Sequence, residues 1–223
     1  MSADGNVYSE YRQTVTMLRR HLEKRLGKVS ESSTKDGETV SLETLAQTVQ
    51  TCTKCALHTT RNNAVFGMGK HTAPLMFIGE APGRDEDLQG KPFVGAAGKI
   101  LREALKNVGI PLKDIYIANI LKCRPPKNRD PQPEEIALCL PYLNKQIELI
   151  RPRIICTLGK FATQNILNTT QGITVLRGKT FPLKDARIFP TYHPAACIYR
   201  PAWKDQFTAD LKKVRELLQQ EPA

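Results

Sequence analysis

Four short apolar runs dominate the pattern of this chain: LMFIG (75–79), IYIANI (115–120), RIICTLG (153–159) and RIFPTY (187–192). They are rich in β-branched and aromatic residues and too short for buried helices, so they read as strands. The stretches between them, AAGKILREALKNVG, PEEIALCLPYLNKQIELI and KFATQNILNTT, have helical spacing, and DQFTADLKKVRELLQQ closes the chain as another helix. Strands that alternate with helices pair through crossover connections, which makes the sheet parallel. The expected fold is α/β: a central, mostly parallel four-stranded sheet with helices on both faces.

Residues 1–41 stand apart. Tyr8, Tyr11, Val15, Leu18 and Leu22 recur at intervals of three and four, which predicts an amphipathic helix over 6–26. That helix either packs on the body or offers a seam to a protein partner. The following GKVSESSTKDGETVS has no apolar periodicity and reads as a flexible linker. Ser41 suits the N-cap of a second helix that delivers Cys52. The expected organisation is an N-terminal helix and linker over 1–41 and one domain over 42–223.

In a parallel sheet of this kind, ligands collect outside the carboxyl ends of the strands. Glu80, Asn119, Gly159 with Lys160, and His193 leave those ends, and a carboxylate, an amide and an imidazole on one rim make a candidate polar site. The segment GEAPGRDEDLQGKPFVG (79–95) sets acids beside glycines and prolines in a chain that otherwise carries 33 basic against 22 acidic residues, a net +11. Such a positive field favours a polyanionic partner. No apolar run approaches the roughly 20 residues needed to span a bilayer, and the opening MSADGNVYSEYR has no signal-peptide core, so a cytoplasmic location away from membranes is expected.

That location shapes the reading of six cysteines. In a reducing compartment they are ligands or inert buried thiols before they are disulfides. Cys156 and Cys197 read as inert. Cys52 and Cys55 form a C-x-x-C, and Cys123 and Cys139 flank the second strand-to-helix connection; four thiolates suit either an iron–sulfur cluster or a structural zinc. Lys122, Arg124, Lys127 and Arg129 beside them are candidates for phosphate contact, against the plainer reading of a solvated loop.

Three ordered motifs, GEAPGRDEDLQGKPFVGAAGKIL, IANILKCRPPKNRDPQPEE and YHPAA, together with the four cysteines, resemble the family 4 uracil-DNA glycosylases, the iron–sulfur branch of the uracil glycosylase superfamily. The resemblance runs from about Cys52 to Lys212. It implies a [4Fe-4S] cluster on Cys52, Cys55, Cys123 and Cys139. Phe93 matches the position that stacks on a flipped uracil. Asn119 matches the one that accepts from uracil N3–H and donates to O4, a pattern cytosine reverses. His193 would donate to O2 of the departing uracil anion. Ala81, at the substrate, occupies the position where the best-known branch has a water-activating aspartate, so Glu80 is expected to orient the water, with Glu86 and Asp87 as electrostatic support. Gly83 replaces a bulky residue that excludes the thymine methyl in that branch. Lys160 and Arg200 join the basic loop as DNA-backbone contacts. The implied protein is a nucleoid-associated monomer acting on uracil-containing DNA, single- or double-stranded, by base removal without strand cleavage. The alternative is a uracil-DNA-binding or polymerase-accessory module without turnover. The covalent branch of the superfamily is disfavoured, because the segment after the second motif has no histidine.

Overall fold

The computed structural model describes residues 40–220. The helix expected over 6–26 and the linker up to residue 39 lie outside them. Ser41 caps the first described helix, α1 (Leu42–Gln50), through a reciprocal pair of bonds. Its hydroxyl accepts the Thr44 N–H at 3.2 Å, and Thr44 Oγ1 accepts the Ser41 N–H at 3.0 Å. Then follow β1 (Met68–Gly69), β2 (Leu75–Gly79), α2 (Arg84–Gln89), α3 (Ala96–Val108), β3 (Ile115–Asn119), α4 (Pro133–Ile150), β4 (Ile154–Leu158), α5 (Gly159–Leu167), α6 (Ile173–Leu176), β5 (Phe181–Leu183), β6 (Ala186–Thr191), α7 (Ala196–Tyr199) and α8 (Ala202–Gln220).

The sheet has six strands in the order β1-β3-β2-β4-β6-β5. The four expected strands form its parallel centre. Two short antiparallel strands, β1 against β3 and β5 against β6, extend the edges. Their two and three residues are too few to show any alternation, which is why the pattern gives four strands and the structure six. Every residue of β2, β3 and β4 is buried, as expected for strands covered on both faces. Met76, Ile78, Tyr116, Ala118 and Ile155 pack in the core shared with α1, α4 and α5. Leu75, Phe77, Ile115, Ile117 and Cys156 pack with α3 and α8 on the other side. Among the described residues no helix is long and apolar enough to cross a membrane.

Asp210 of α8 is 1% exposed and anchors the end of β6. It accepts the Thr191 hydroxyl at 2.7 Å and pairs with Arg177 at 3.0 Å. Thr191 lies two residues before His193, so this buried triad fixes where the chain leaves the sheet. Asp210→Ala leaves the buried Thr191 hydroxyl and the half-buried Arg177 guanidinium without their shared acceptor, and is expected to lower unfolding free energy by about 2 kcal/mol in chemical denaturation.

Candidate active site and cysteine site

The four parallel strands end on one rim. Glu80 follows β2, Asn119 ends β3, Lys160 lies in the first turn after β4, and His193 follows β6. The loops beyond β2 and β3 stay in step, since Ile120 N–H donates to Gly79 O at 3.0 Å and Leu121 N–H to Glu80 O at 2.9 Å. Together with the segment between β6 and α7 and the basic loop, they form a pocket of about 310 Å³ whose lining includes Glu80, Ala81, Glu86, Phe93, Asn119, Arg129 and His193.

The local backbone explains why these side chains meet. Asn119 is in register with Gly79, and a Cβ at Gly79 would come within 2.8 Å of the Phe93 ring. Phe93 is buried with φ +53°, a left-handed conformation that a bulky residue adopts only when its surroundings impose it. Arg102 Nη1 holds its carbonyl at 2.6 Å, and Gly98 of α3 packs flush against that carbonyl where a Cβ has no room. The Phe93 ring lies 5.7 Å from that of His193. Gly159, at φ +86°, sits under His193, where a Cβ would approach the histidine Cβ to 2.9 Å.

The polar groups of the pocket are poised in different ways. Asn119 is 2% exposed, and its Oδ1 is a buried side-chain acceptor with no partner among the described residues. Buried acceptors are almost always satisfied, so this oxygen is aimed at something that enters. Burial pushes the Glu80 carboxyl up to about 7; the Asp130 charge adds to this and Lys160 opposes it. Burial pulls His193 down to about 4, so its ring is neutral at physiological pH. Its Nδ1 accepts the Ala195 N–H at 3.2 Å, which leaves the proton on Nε2.

The remaining expected residues divide. Glu86 lines the pocket with its oxygens engaged, accepting Gly83 N–H at 3.1 Å and Gly95 N–H at 2.8 Å. It shapes the loop in which Gly83 stands. Asp87, expected to support charge at the site, does not line the pocket: it is 1% exposed and accepts the Asn62 N–H at 2.9 Å and the Asn62 side chain. Lys122, expected at a DNA phosphate, is likewise 1% exposed, with its ammonium bonded to Asn119 O and Gln146 Oε1. Neither can serve the expected role, because the partners that hold each one are internal. Arg124 donates to Asn128 at 2.7 Å, and Arg129 forks onto Glu135 at 2.6 and 2.9 Å while lining the pocket wall. Lys127, Lys160 and Arg200 are exposed, Arg200 with its guanidinium 4.6 Å from the Trp203 ring.

On the α1 side of the sheet, Cys52, Cys55, Cys123 and Cys139 line one gap together with Lys54, His58, Arg61, Lys122 and Tyr142. Three of the thiols accept hydrogen bonds: Cys123 from Arg61 at 3.1 Å, Cys139 from the Lys122 N–H at 3.3 Å and Cys52 from Tyr142 at 3.2 Å. Burial pushes the Cys55 and Cys123 thiols up, and Cys139 to about 12. Among the described residues no group of three or more His, Cys, Asp or Glu side chains is arranged to hold a metal ion. Arg61 and Asn128 escaped the sequence reading. Arg61 reaches a cysteine 62 positions away, and nothing local announces that. Asn128 follows PPK in a turn with Lys127 and Asn128 both at positive φ, and two prolines before an Asn were the available sign.

The model of the uracil DNA glycosylase superfamily matches residues 66–216. The type-4 uracil-DNA glycosylase of Archaeoglobus fulgidus is 48% identical over 187 residues, covering 79% of this chain and 93% of that protein. That of Thermotoga maritima is 43% identical over 156 residues, covering 69% of this chain and 81% of that protein. The chain belongs to the type-4 family of this superfamily. A DNA polymerase of Bacillus phage SP01 also matches, 34% identical over 154 residues but over only 17% of its own length. The matched span of the superfamily contains Glu80, Phe93, Asn119 and His193, while Cys52 and Cys55 precede it.

In this type-4 protein the elevated Glu80 carries a stability signature. Its folded value lies above the ordinary 4.5, so the folded state holds the proton more tightly and ionising Glu80 costs stability as pH rises from 4.5 through about 7. Glu80→Gln is therefore expected to be more stable than wild type at pH 8, by about 2 kcal/mol, with the gap closing toward pH 4.5. Denaturant melts at the two pH values check it.

Proposed function

We propose that this protein is a uracil-DNA glycosylase, which draws uracil out of DNA and hydrolyses its N-glycosidic bond to leave an abasic site. The observation that carries the reading is Asn119 Oδ1, buried and unpaired in a pocket shared with the Phe93 ring and a neutral His193. Uracil N3–H supplies the donor that this acceptor lacks. The Asn119 amino group meets uracil O4, and cytosine presents the reverse pattern, leaving buried groups mismatched at a cost of orders of magnitude. Phe93 stacks on the extruded base.

Cleavage sends the bonding electrons of C1′–N1 to uracil and leaves cationic character on the sugar. In this reading His193 Nε2–H donates to O2 of the forming anion, and because burial holds the ring neutral it helps by hydrogen bonding rather than by proton transfer. Glu80 orients the water that adds to C1′ and takes up the proton it loses. Ala81 beside it brings no functional group. Glu86 keeps the glycine loop in shape around the sugar. Arg124, Lys127, Arg129, Lys160 and Arg200 are read as the backbone contacts around the mouth, and counterion release makes their contribution salt-dependent.

The four-cysteine gap fits a thiolate-ligated group. Its donor set is all sulfur, three sulfurs already receive hydrogen bonds, and Arg61 and Lys54 bring positive charge to it. Four thiolates alone suit zinc or iron, and kinship with the iron–sulfur branch favours [4Fe-4S] on Cys52, Cys55, Cys123 and Cys139. Held by these four residues, such a cluster would crosslink the segment after α1 to the basic loop and α4 and would serve a structural role. We take 42–223 as the catalytic unit, monomeric and cytoplasmic with the DNA, and 1–41 as an appendage offered to a protein partner. The phage polymerase match favours a second reading, a polymerase-accessory module that holds uracil without turnover; release of free uracil from a uracil-containing oligonucleotide distinguishes the two.

Removal of the Nε2–H donor in His193→Ala is expected to slow single-turnover excision by roughly two to three orders of magnitude while DNA affinity changes little. A wild-type rate would assign the imidazole to packing. The wild-type rate is expected to rise with pH through about 7 as Glu80 ionises, and Glu80→Gln to be slow and lack that rise. Anaerobically purified protein is expected to be brown with about four irons per chain; one zinc in a colourless preparation refutes the cluster. Charge reversal at Arg124 or Lys127 is expected to flatten the dependence of log affinity on log salt.

A further inference from the structure

Lys122 lines the cysteine site and reaches the pocket through the main chain of Asn119. Its N–H donates to Cys139 Sγ at 3.3 Å, and Cys123 is its neighbour in the chain. Its buried ammonium donates to Asn119 O at 2.9 Å and to Gln146 Oε1 at 2.6 Å, and lies 6.0 Å from the Phe66 ring. Gln146 is itself fixed, its Nε2 donating to Phe66 O at 2.9 Å and Tyr116 Oη at 3.2 Å. Among the described residues Lys122 has no ion pair with a carboxylate. Burying an ammonium whose hydrogen bonds go to neutral acceptors is costly. What the ammonium adds is a grip on one peptide group. The peptide after Asn119 is held at both ends, its N–H on Gly79 O at 3.0 Å and its C=O on Lys122 Nζ. That grip fixes the Cα–Cβ direction of Asn119, whose Oδ1 has no partner to hold it in place.

We propose that Lys122 is a positioning residue for base recognition: its ammonium locks the main chain at Asn119 so that the unpaired amide oxygen stays aimed into the pocket, and its seat on Cys139 ties this lock to the cysteine site. The proposal rests on the reading of Asn119 as the group that recognises uracil. It separates two functions of the basic segment. The exposed cations after Cys123 face DNA, whereas the lysine before it faces inward and serves the amide.

The test is a double-mutant cycle on the metal-loaded full chain. Wild type, Lys122→Met, Asn119→Ala and the double variant are titrated with an oligonucleotide carrying uncleavable 2′-fluoro-deoxyuridine and with its 2′-fluoro-deoxycytidine counterpart. Iron content and circular dichroism are recorded for each. Lys122→Met is expected to lower the uracil-over-cytosine affinity ratio about tenfold, with affinity for the cytosine oligonucleotide unchanged. In the Asn119→Ala background the same substitution is expected to change nothing further, because its effect passes through that amide. Lys122→Gln, which keeps a donor, is expected to recover part of the ratio, and it carries the test should Lys122→Met fail to fold. An unchanged ratio, an equal loss in both backgrounds, or failure of both Lys122 variants to fold with metal overturns the proposal and leaves Lys122 a packing residue. If wild type itself shows no preference for uracil, the reading of Asn119 falls first, and the two failures are told apart by that single control.

Discussion

The pocket depends on a missing atom. Gly79 closes β2 directly opposite Asn119, and the bare Cα leaves room for the Phe93 ring and the Asn119 amide to lie over the same strand end. Gly98 and Gly159 act in the same way further out. The first lets α3 press on the Phe93 carbonyl and the second lets His193 settle against β4. Three glycines from three elements thus bring an aromatic ring, an amide and an imidazole into one cleft. The left-handed Phe93 is the visible strain of that arrangement, held by Arg102 and the flush contact with α3.

Low polarity then sets the electrostatics. The same burial moves Glu80 and His193 in opposite directions, the acid up to about 7 and the imidazole down to about 4, because in each case it is the charged form that loses its hydration. At neutral pH the imidazole is therefore uncharged and Glu80 is near its midpoint, while Lys127, Lys160 and Arg200 are exposed. Such a weakly charged floor suits a neutral base such as uracil. The buried cysteines follow the same rule. Burial raises the Cys55, Cys123 and Cys139 thiols because it is the thiolate that loses its hydration.

Much of the fold was legible because its signals are local. The strand-forming runs, the helices between them and the Ser41 cap all follow from period and end chemistry over fewer than about twenty residues. The edge strands β1 and β5 were not legible, since two or three residues carry no period and are strands only because β3 and β6 offer them hydrogen bonds. Among site residues the contrast is sharper. Glu80, Asn119 and His193 could be placed on one rim from their positions at strand ends, because parallel topology sends every carboxyl end the same way. The charged residues of the two loops could not be sorted. Asp87 and Glu86 are adjacent, yet one caps the Asn62 turn and the other lines the cleft. Lys122 and Arg124 are separated by one cysteine, yet one is wholly buried and the other faces Asn128 at the surface side of the loop.

The sequence by itself determined the layer order of strands and helices, the family, and the set of groups that gather at the carboxyl rim, since each is written in spacing along the chain. Only the tertiary structure decided which charges are exposed and which are internal, and where the protons of the rim sit. Those properties depend on burial and on partners such as Gln146, Arg61 and Asn62, brought close by packing from positions that no local pattern connects.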